Sequence, residues 1–215
     1  MAKFGVLGSG VVGEVLANGL LKYGHEVMRG SRDVSKLAAW KSAGGANAKA
    51  GGFADAADFA DIVLLAVKGG AAESALALAG AEHLKAKTVI DATNPIADAA
   101  PVNGVLQFFT GPNDSLMERL QSKFPEAHLV KAFSCVGNAF MVNPDFGGQV
   151  PTMFICGNDA AAKREVTSIL VQFGWDAEDM GGVEAARAIE PLCMLWCIPG
   201  LRGGSWSHAF KLLKK

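Results

Sequence analysis

Residues 8–13 read Gly8-Ser9-Gly10-Val11-Val12-Gly13, a G-x-G-x-x-G element. An apolar run over residues 3–7 precedes it and predicts a strand, and apolar residues at helical spacing over residues 10–23 predict an amphipathic helix. Strand, glycine turn and helix together are the context that this element requires. Its first glycine permits the tight turn, its second lets a bound group approach the backbone, and its third lets the helix pack close to the sheet.

The first turn of such a helix carries free N–H groups and the positive end of the helix dipole, and both favour negative charge. The element therefore predicts a site for the diphosphate of a dinucleotide. The alternative is a glycine-rich turn that binds nothing, and the flanking strand and helix argue against it.

Strand-like and helix-like runs alternate along most of the chain. The predicted helices include residues 70–84 and 114–123, and residues 38–60 are expected to be ordinary helix and connection. Further short apolar strands are predicted at about residues 25–29, 61–67, 87–91 and 128–133. The alternation predicts an α/β fold, a Rossmann-type doubly wound parallel sheet covered by helices.

From Pro151 onward the pattern predicts a small C-terminal α+β extension over residues 151–215, after a Rossmann domain over residues 1–150. Its last helix, expected over Val183–Ile198, is apolar on nearly every face, and Pro191 should kink it. Pro199 should end it. A helix that is apolar all round is buried, so we expect a second subunit to cover it in a homodimer. The extension would then carry the dimer contacts and the acceptor site.

The composition limits the possible partners and locations. A formal net charge of -1 over 215 residues gives no indication of binding to nucleic acid or to an anionic membrane. No apolar run approaches the roughly 18 residues of a membrane span, and no signal-peptide pattern is found at Met1. The cysteines are too scattered for a disulfide framework or a metal site, so we expect buried thiols and a cytoplasmic location. They are Cys135, Cys156, Cys193 and Cys197.

The end of the second predicted strand indicates which dinucleotide is preferred. NAD sites place an acid there, about 20 residues after the glycines. Here the strand is followed by Ser31, Arg32 and Lys36, a hydroxyl and two cations that suit a 2′-phosphate. Asp33 is the one acid nearby, and we expect it to cap a helix. The cluster favours NADP(H) over NAD(H), and a solvated charged turn is the alternative.

The glycine element together with Gly30-Ser31-Arg32 resembles the NADPH-dependent oxidoreductases of the deazaflavin coenzyme F-420. The chain is also similar to the cytosolic domain of the STEAP metalloreductases, through residues 130–133, 154–159 and 188–190. These stretches extend over nearly the whole chain. It departs from the STEAP proteins in having no membrane segment, and from the deazaflavin enzymes in its long segment over residues 95–112.

The resemblance implies a Rossmann domain that binds NADP(H), often as a homodimer. It also implies site residues at matching positions, from the diphosphate to the nicotinamide. They are Ser9, Val11 and Val12 at the diphosphate; Ser31, Arg32 and Lys36 at the 2′-phosphate; Ala66, Val67 and Lys68 along the cofactor; Thr93, Asn94 and Pro95 after the next strand; and Phe133, Ser134 and Cys135 beside the nicotinamide.

The sequence contains no obvious catalytic constellation, and we assign no catalytic residue. Hydride transfer between two flat rings needs alignment and exclusion of water more than acid–base help. We therefore expect an NADP(H)-dependent oxidoreductase, with the deazaflavin F-420 or a flavin as second substrate. One alternative is a reductase of a small carbonyl or imine, with a proton donor such as Glu190 or His208. The other is a sensor that binds NADP(H) without consuming it.

Overall fold

The computed structural model describes all 215 residues, and its strands and helices alternate along the chain. The strands are β1 (Lys3–Leu7), β2 (Glu26–Gly30), β3 (Ala48–Gly51), β4 (Ile62–Leu65), β5 (Thr88–Asp91), β6 (His128–Lys131), β7 (Thr152–Ile155) and β8 (Asp176–Asp179). The helices are α1 (Val11–Lys22), α2 (Ala38–Ala43), α3 (Phe53–Phe59), α4 (Ala72–Ala79), α5 (Ala81–Leu84), α6 (Leu116–Lys123), α7 (Ala160–Gln172) and α8 (Ala186–Gly203).

Six parallel strands form the main sheet in the order β3-β2-β1-β4-β5-β6. Val6 of β1 faces a core with Leu16 and Leu20 of α1, and the next residue, Leu7, faces a second core with Leu76 of α4. The sheet is therefore buried on both faces, and the predicted Rossmann-type fold is confirmed. The strand order reverses between β1 and β4, where a crevice opens at the carboxyl ends of the strands.

The last part of the chain forms the predicted small extension. Strands β7 and β8 form their own two-stranded parallel sheet, and α7 connects them. Asp159 caps α7 by accepting a hydrogen bond from the Ala162 N–H at 2.7 Å. An isolated bridge between Lys131 and Cys156 joins this small sheet to the end of β6.

The structure corrects the sequence predictions in three places. Residues 38–60 include the edge strand β3, which contains only Ala, Lys and Gly and so lacks the β-branched pattern of a strand. The helix predicted over residues 70–84 is broken at Gly80, which has a positive φ of 88°. Helix α8 does not end at Pro199 but continues to Gly203, and Gly204 ends it with a φ of 73°.

Two long segments follow the carboxyl ends of β5 and β6, as expected. Residues 95–112 contain no helix and are tied by isolated bridges, including one between Ile96 and Phe108. Residues 135–148 contain one short 3₁₀ turn, Asn138–Phe140. Both segments lie on the ligand side of a doubly wound sheet. No helix is both long enough and apolar enough to span a membrane.

Candidate functional site

The glycines of the turn between β1 and α1 differ in the space around them. Gly8 has a φ of 148°, and a Cβ there would clash with the carbonyl oxygen of Ala66. A Cβ on Gly13 would lie 2.8 Å from the carbonyl oxygen of Gly8, so this glycine allows α1 to pack on the turn. A Cβ on Gly10 would have no protein atom within 4 Å. The fold therefore requires Gly8 and Gly13, whereas the space at Gly10 is open.

The start of α1 faces this open space. Gly10 is the N-cap residue and provides no side-chain cap for the first turn. The first N–H groups of a helix have no partner within the helix, so here they remain free for an anion.

A cleft of about 540 Å³ lies beside the turn, where the strand order reverses. It brings together residues that follow β1, β2 and β4 and that the sequence assigned to a cofactor. They are Gly8, Ser9, Gly10, Ser31, Arg32, Lys36, Ala66, Val67 and Lys68. Other residues that line the cleft were not predicted from the sequence to contact a cofactor. They are Asp33, Phe53, Ala71, Ser74 and Ala75. Phe53 is the first residue of α3 and follows β3. A strand predicted at β3 would therefore have placed Phe53 at the carboxyl end of that strand, where ligands bind.

The polar cluster after β2 forms one end of the cleft. Arg32 and Lys36 are exposed, and the buried Ser31 hydroxyl accepts a hydrogen bond from the Asp33 N–H at 3.2 Å. The Asp33 carboxylate accepts hydrogen bonds from the hydroxyl and the N–H of Ser35, and these lower its pKa. Asp33 thus caps the short turn Val34–Leu37, as expected.

The remaining predicted residues lie outside this cleft. Val11, Val12 and Gly13 belong to α1. The others are Thr93, Asn94, Pro95, Phe133 and Cys135, which follow β5 and β6. The two loops meet where the Asn94 side-chain amide donates to the Ser134 carbonyl at 2.8 Å. Asn94 Oδ1 and Ser134 Oγ are buried without a hydrogen-bond partner. Unpaired buried polar atoms are uncommon and indicate a missing partner.

Two residues of the loop after β6 are buried and chemically unreactive. The Phe133 ring packs in the core, 6.2 Å from the Phe173 ring. Cys135 is buried, and burial raises the pKa of its thiol to about 12. The thiol is therefore neutral near neutral pH and is a poor nucleophile.

A buried ion cluster lies behind these loops. Lys131 Nζ lies 2.6 Å from Asp91 Oδ2 and 2.9 Å from Glu190 Oε1, and it donates to the Thr93 carbonyl at 3.0 Å. Burial by itself lowers the pKa of Lys131, but the carboxylates of Asp91 and Glu190 outweigh it and raise the pKa. Asp91 Oδ1 also accepts from the N–H and hydroxyl of Thr93, at 2.9 and 2.6 Å. The cluster therefore fixes the start of the loop that carries Asn94.

Both candidate proton donors already have hydrogen-bond partners within the protein. The Glu190 carboxylate is buried and accepts from the N–H groups of Leu116 and Met117, at 2.9 and 3.0 Å, as well as contacting Lys131. His208 Nε2 lies 2.8 Å from the Trp196 carbonyl, and its ring stacks on that of Trp196. The Glu190 carboxylate is thus fully engaged, whereas His208 keeps a buried Nδ1 without a partner but lines a separate cavity and not the cleft beside the glycine turn.

Comparison with known proteins identifies the family. The model of the family described as NADP oxidoreductase, coenzyme F-420-dependent, matches residues 3–95. A solved structure from Arthrobacter sp. FB24, provisionally named an F-420-dependent NADP-reductase, is 33% identical and superposes with a TM-score of 0.91. The match covers 100% of both chains. The chain belongs to this family.

Two further similarities are more distant. The chain is 30% identical over 204 residues to the metalloreductase STEAP3 of Rattus norvegicus, covering 93% of this chain but only 38% of that protein. A reductive aminase from Aspergillus terreus, solved in complex with NADPH and ethyl levulinate, is 18% identical with a TM-score of 0.69. That match covers 95% of this chain and 63% of the aminase, and it shows a shared fold.

Proposed function

We propose that this protein is an NADP(H)-dependent oxidoreductase that transfers hydride between NADPH and a flat redox acceptor, the deazaflavin F-420 or a flavin. The observation that carries the proposal is the position of Ser31, Arg32 and Lys36. They line the same cleft as the glycine turn, at the end where a ribose 2′-phosphate would lie. Arg and a hydroxyl suit a phosphate, and the one acid that lines this end of the cleft, Asp33, uses its Oδ1 to cap its own turn.

The cleft fits the rest of the dinucleotide. The diphosphate would bind at the start of α1, near Ser9, Gly10 and Val11, where the backbone N–H groups are free. Ala66–Lys68 would lie along the cofactor, since all three line the cleft after β4. When bound, NADPH supplies the hydride, and the protein supplies binding, orientation and exclusion of water.

The unpaired atoms of Asn94 and Ser134 support a nicotinamide position at the ends of β5 and β6. Asn94 Oδ1 is an acceptor, and the Ser134 hydroxyl can donate. A carboxamide offers the complementary NH₂ donor and carbonyl acceptor. Because both atoms are covered in this conformation, neighbouring side chains must shift to admit the ring.

The state of the three candidate proton donors favours a flat acceptor over a carbonyl or imine. Reduction of a carbonyl or imine needs a proton donor at the reacting atom. Glu190 is engaged by Lys131 and by α6, and the Cys135 thiol is neutral and buried. His208 binds the Trp196 carbonyl through Nε2 and lines a cavity separate from the cleft. Hydride transfer to a deazaflavin or flavin depends mainly on ring alignment, which a binding site alone can provide.

A titration of NADPH and NADH, followed by nicotinamide fluorescence, tests the proposal. We expect NADPH to bind more tightly than NADH, and Arg32→Ala to abolish the difference. Losing a charge-assisted contact costs roughly 1.5–3 kcal/mol, which is about tenfold or more in Kd. Arg164→Ala, which removes an exposed arginine on α7, is the matched control and should change neither Kd.

Equal binding of NADPH and NADH by the wild-type protein would contradict the proposal. Once NADPH binding is established, turnover with F-420 or with FMN separates a reductase from a sensor. A sensor binds NADPH without oxidising it, whichever acceptor is added.

A further inference from the structure

Arg29 is the largest fully buried side chain of the protein, with 1% of its surface exposed. It stands on β2 directly beneath the glycine turn, and its guanidinium lies 5.1 Å from the centre of the Trp40 ring. Burying a guanidinium is costly unless its N–H groups are paired. What Arg29 pairs with therefore indicates what it does.

The guanidinium pairs with the turn itself. Its Nη2 donates to the carbonyl oxygens of Gly8 and Gly10, at 3.3 and 3.1 Å. Its Nη1 donates to the carboxylate of Glu14 on α1, at 3.2 Å. One side chain thus holds both ends of the Gly8–Gly10 segment and the first turn of the following helix.

These two carbonyl contacts fix the direction of two N–H groups, together with the helical hydrogen bond from the Glu14 N–H to the Gly10 carbonyl at 3.1 Å. A trans peptide unit is planar, and its C=O and N–H point in opposite directions. Because Arg29 holds the carbonyls of Gly8 and Gly10 on the inner side, the N–H groups of Ser9 and Val11 point outward. Ser9 and Gly10 line the cleft, so outward means toward the space where the diphosphate would lie.

The charge of Arg29 is only partly balanced within the protein. Its one acidic partner is Glu14, whose side chain is 52% exposed, and its Nε has no hydrogen-bond partner. Burial lowers the pKa of Arg29, and the hydrogen bond to Glu14 opposes this. An arginine remains protonated regardless, so a positive charge stays behind the turn. An anion bound on the opposite side of the turn would balance the remaining positive charge of Arg29.

We propose that Arg29 is a positioning residue for the diphosphate of the bound dinucleotide. It orients the Ser9 and Val11 N–H groups through the carbonyls of Gly8 and Gly10, and it adds a positive charge behind them. The inference rests on the proposed function, because it assumes that the cleft binds a dinucleotide. It assigns separate tasks to the two arginines that follow each other on β2 and its loop: Arg29 acts on the diphosphate, and Arg32 on the 2′-phosphate.

Binding of three probes distinguishes these tasks. NADPH contains both the diphosphate and the 2′-phosphate, NADH lacks the 2′-phosphate, and adenosine 2′-monophosphate lacks the diphosphate. We expect Arg29→Met to raise the Kd of NADPH and NADH by the same factor, about tenfold, because the N–H groups lose their orientation and the charge behind them. Its Kd for adenosine 2′-monophosphate should stay unchanged. Arg32→Ala should show the opposite pattern. It should raise the Kd of NADPH and of adenosine 2′-monophosphate and leave the Kd of NADH unchanged.

Arg29→Lys keeps the charge but loses the two-pronged hydrogen bonding, so it should restore part of the affinity for NADPH and NADH. It also serves as the test if Arg29→Met does not fold, since a purely structural arginine would give an unchanged Kd in any variant that folds. An unchanged NADPH Kd in a folded Arg29 variant would overturn the inference. A Kd of adenosine 2′-monophosphate that rises by the same factor as that of NADPH would also overturn the inference.

The failure of this inference is distinguishable from the failure of the proposed function. A wild-type protein that binds neither dinucleotide overturns both. Arg32-dependent NADPH binding that is insensitive to Arg29 overturns only the positioning role.

Discussion

Lys131 Nζ and Glu190 Oε1 lie 2.9 Å apart in the interior of the protein, and neither side chain is more than 1% exposed. This pair joins the end of β6 to α8, in a part of the chain about 60 residues away, and so attaches the extension to the main sheet. Asp91 completes the cluster from the end of β5. The loops that would border the nicotinamide thus start from an ion cluster completed by the C-terminal helix.

Removing the lysine should therefore destabilise the whole protein. Lys131→Met leaves the buried carboxylates of Asp91 and Glu190 without a cation, a change that typically costs about 3–5 kcal/mol of unfolding free energy. Chemical denaturation monitored by circular dichroism measures this loss of unfolding free energy. The control is Lys85→Met, which breaks the exposed pair with Glu126 and should leave the midpoint nearly unchanged because solvent screens that pair.

The same pair predicts a pH dependence. The pKa of Lys131 is raised in the folded protein, so the cluster contributes its full stability below the unfolded value of about 10.4 and loses it as the pH rises through the folded value. The difference in unfolding free energy between wild type and Lys131→Met should shrink as the pH rises above about 10. A difference that grows there would contradict the charged cluster.

The first two glycines of the turn should respond differently to alanine. Gly8→Ala forces a Cβ into the Ala66 carbonyl at a positive φ, so we expect it to destabilise the fold by at least about 1–3 kcal/mol. Gly10→Ala meets no protein atom, so its melting temperature should stay close to that of the wild type while its Kd for NADPH rises. A Gly10→Ala variant with unchanged NADPH affinity would argue against a ligand close to this backbone.

The thiols should differ sharply in reactivity. Burial raises the pKa of Cys135 and Cys156 to about 12, and a hydrogen bond to Cys197 raises that of Cys193. The same hydrogen bond lowers the pKa of Cys197, which is only half-buried. Titration with a disulfide reagent at mildly alkaline pH should label one thiol in the native protein. Cys197→Ser should remove that signal and Cys156→Ser should retain it, and labelling of several native thiols would contradict the burial.

Helix α8 carries an exposed apolar stripe that favours a homodimer. The stripe consists of Ala188, Pro191, Leu195 and Pro199, one face of the helix, with Leu195 54% exposed. We expect a dimer by sedimentation velocity and a monomer for Leu195→Glu. The control Val171→Glu changes an apolar residue on α7 that is more exposed, at 62%, and this variant should remain dimeric. A monomeric wild type would contradict the prediction.

Parts of this site could be predicted because their signals are local. The glycine element, the strand before it and the helix after it lie within about 20 consecutive residues, and each follows its own period or turn chemistry. The cation cluster after β2 could be recognised for the same reason. By contrast, β3 was missed because Ala48–Gly51 has no strand pattern of its own and is held by pairing with β2. Phe53 was missed with it.

The sequence by itself determined the alternation of strands and helices apart from β3, the glycine turn, and the presence of a hydroxyl and two cations after β2. Only the tertiary structure decided where the buried charges go. Asp91, Lys131 and Glu190 form one cluster, and Arg29 turns under the glycine loop. The physical reason is separation along the chain. Helix periods and turn preferences act between residues that are close in sequence. The free energy of burying a charge depends on partners that distant elements supply.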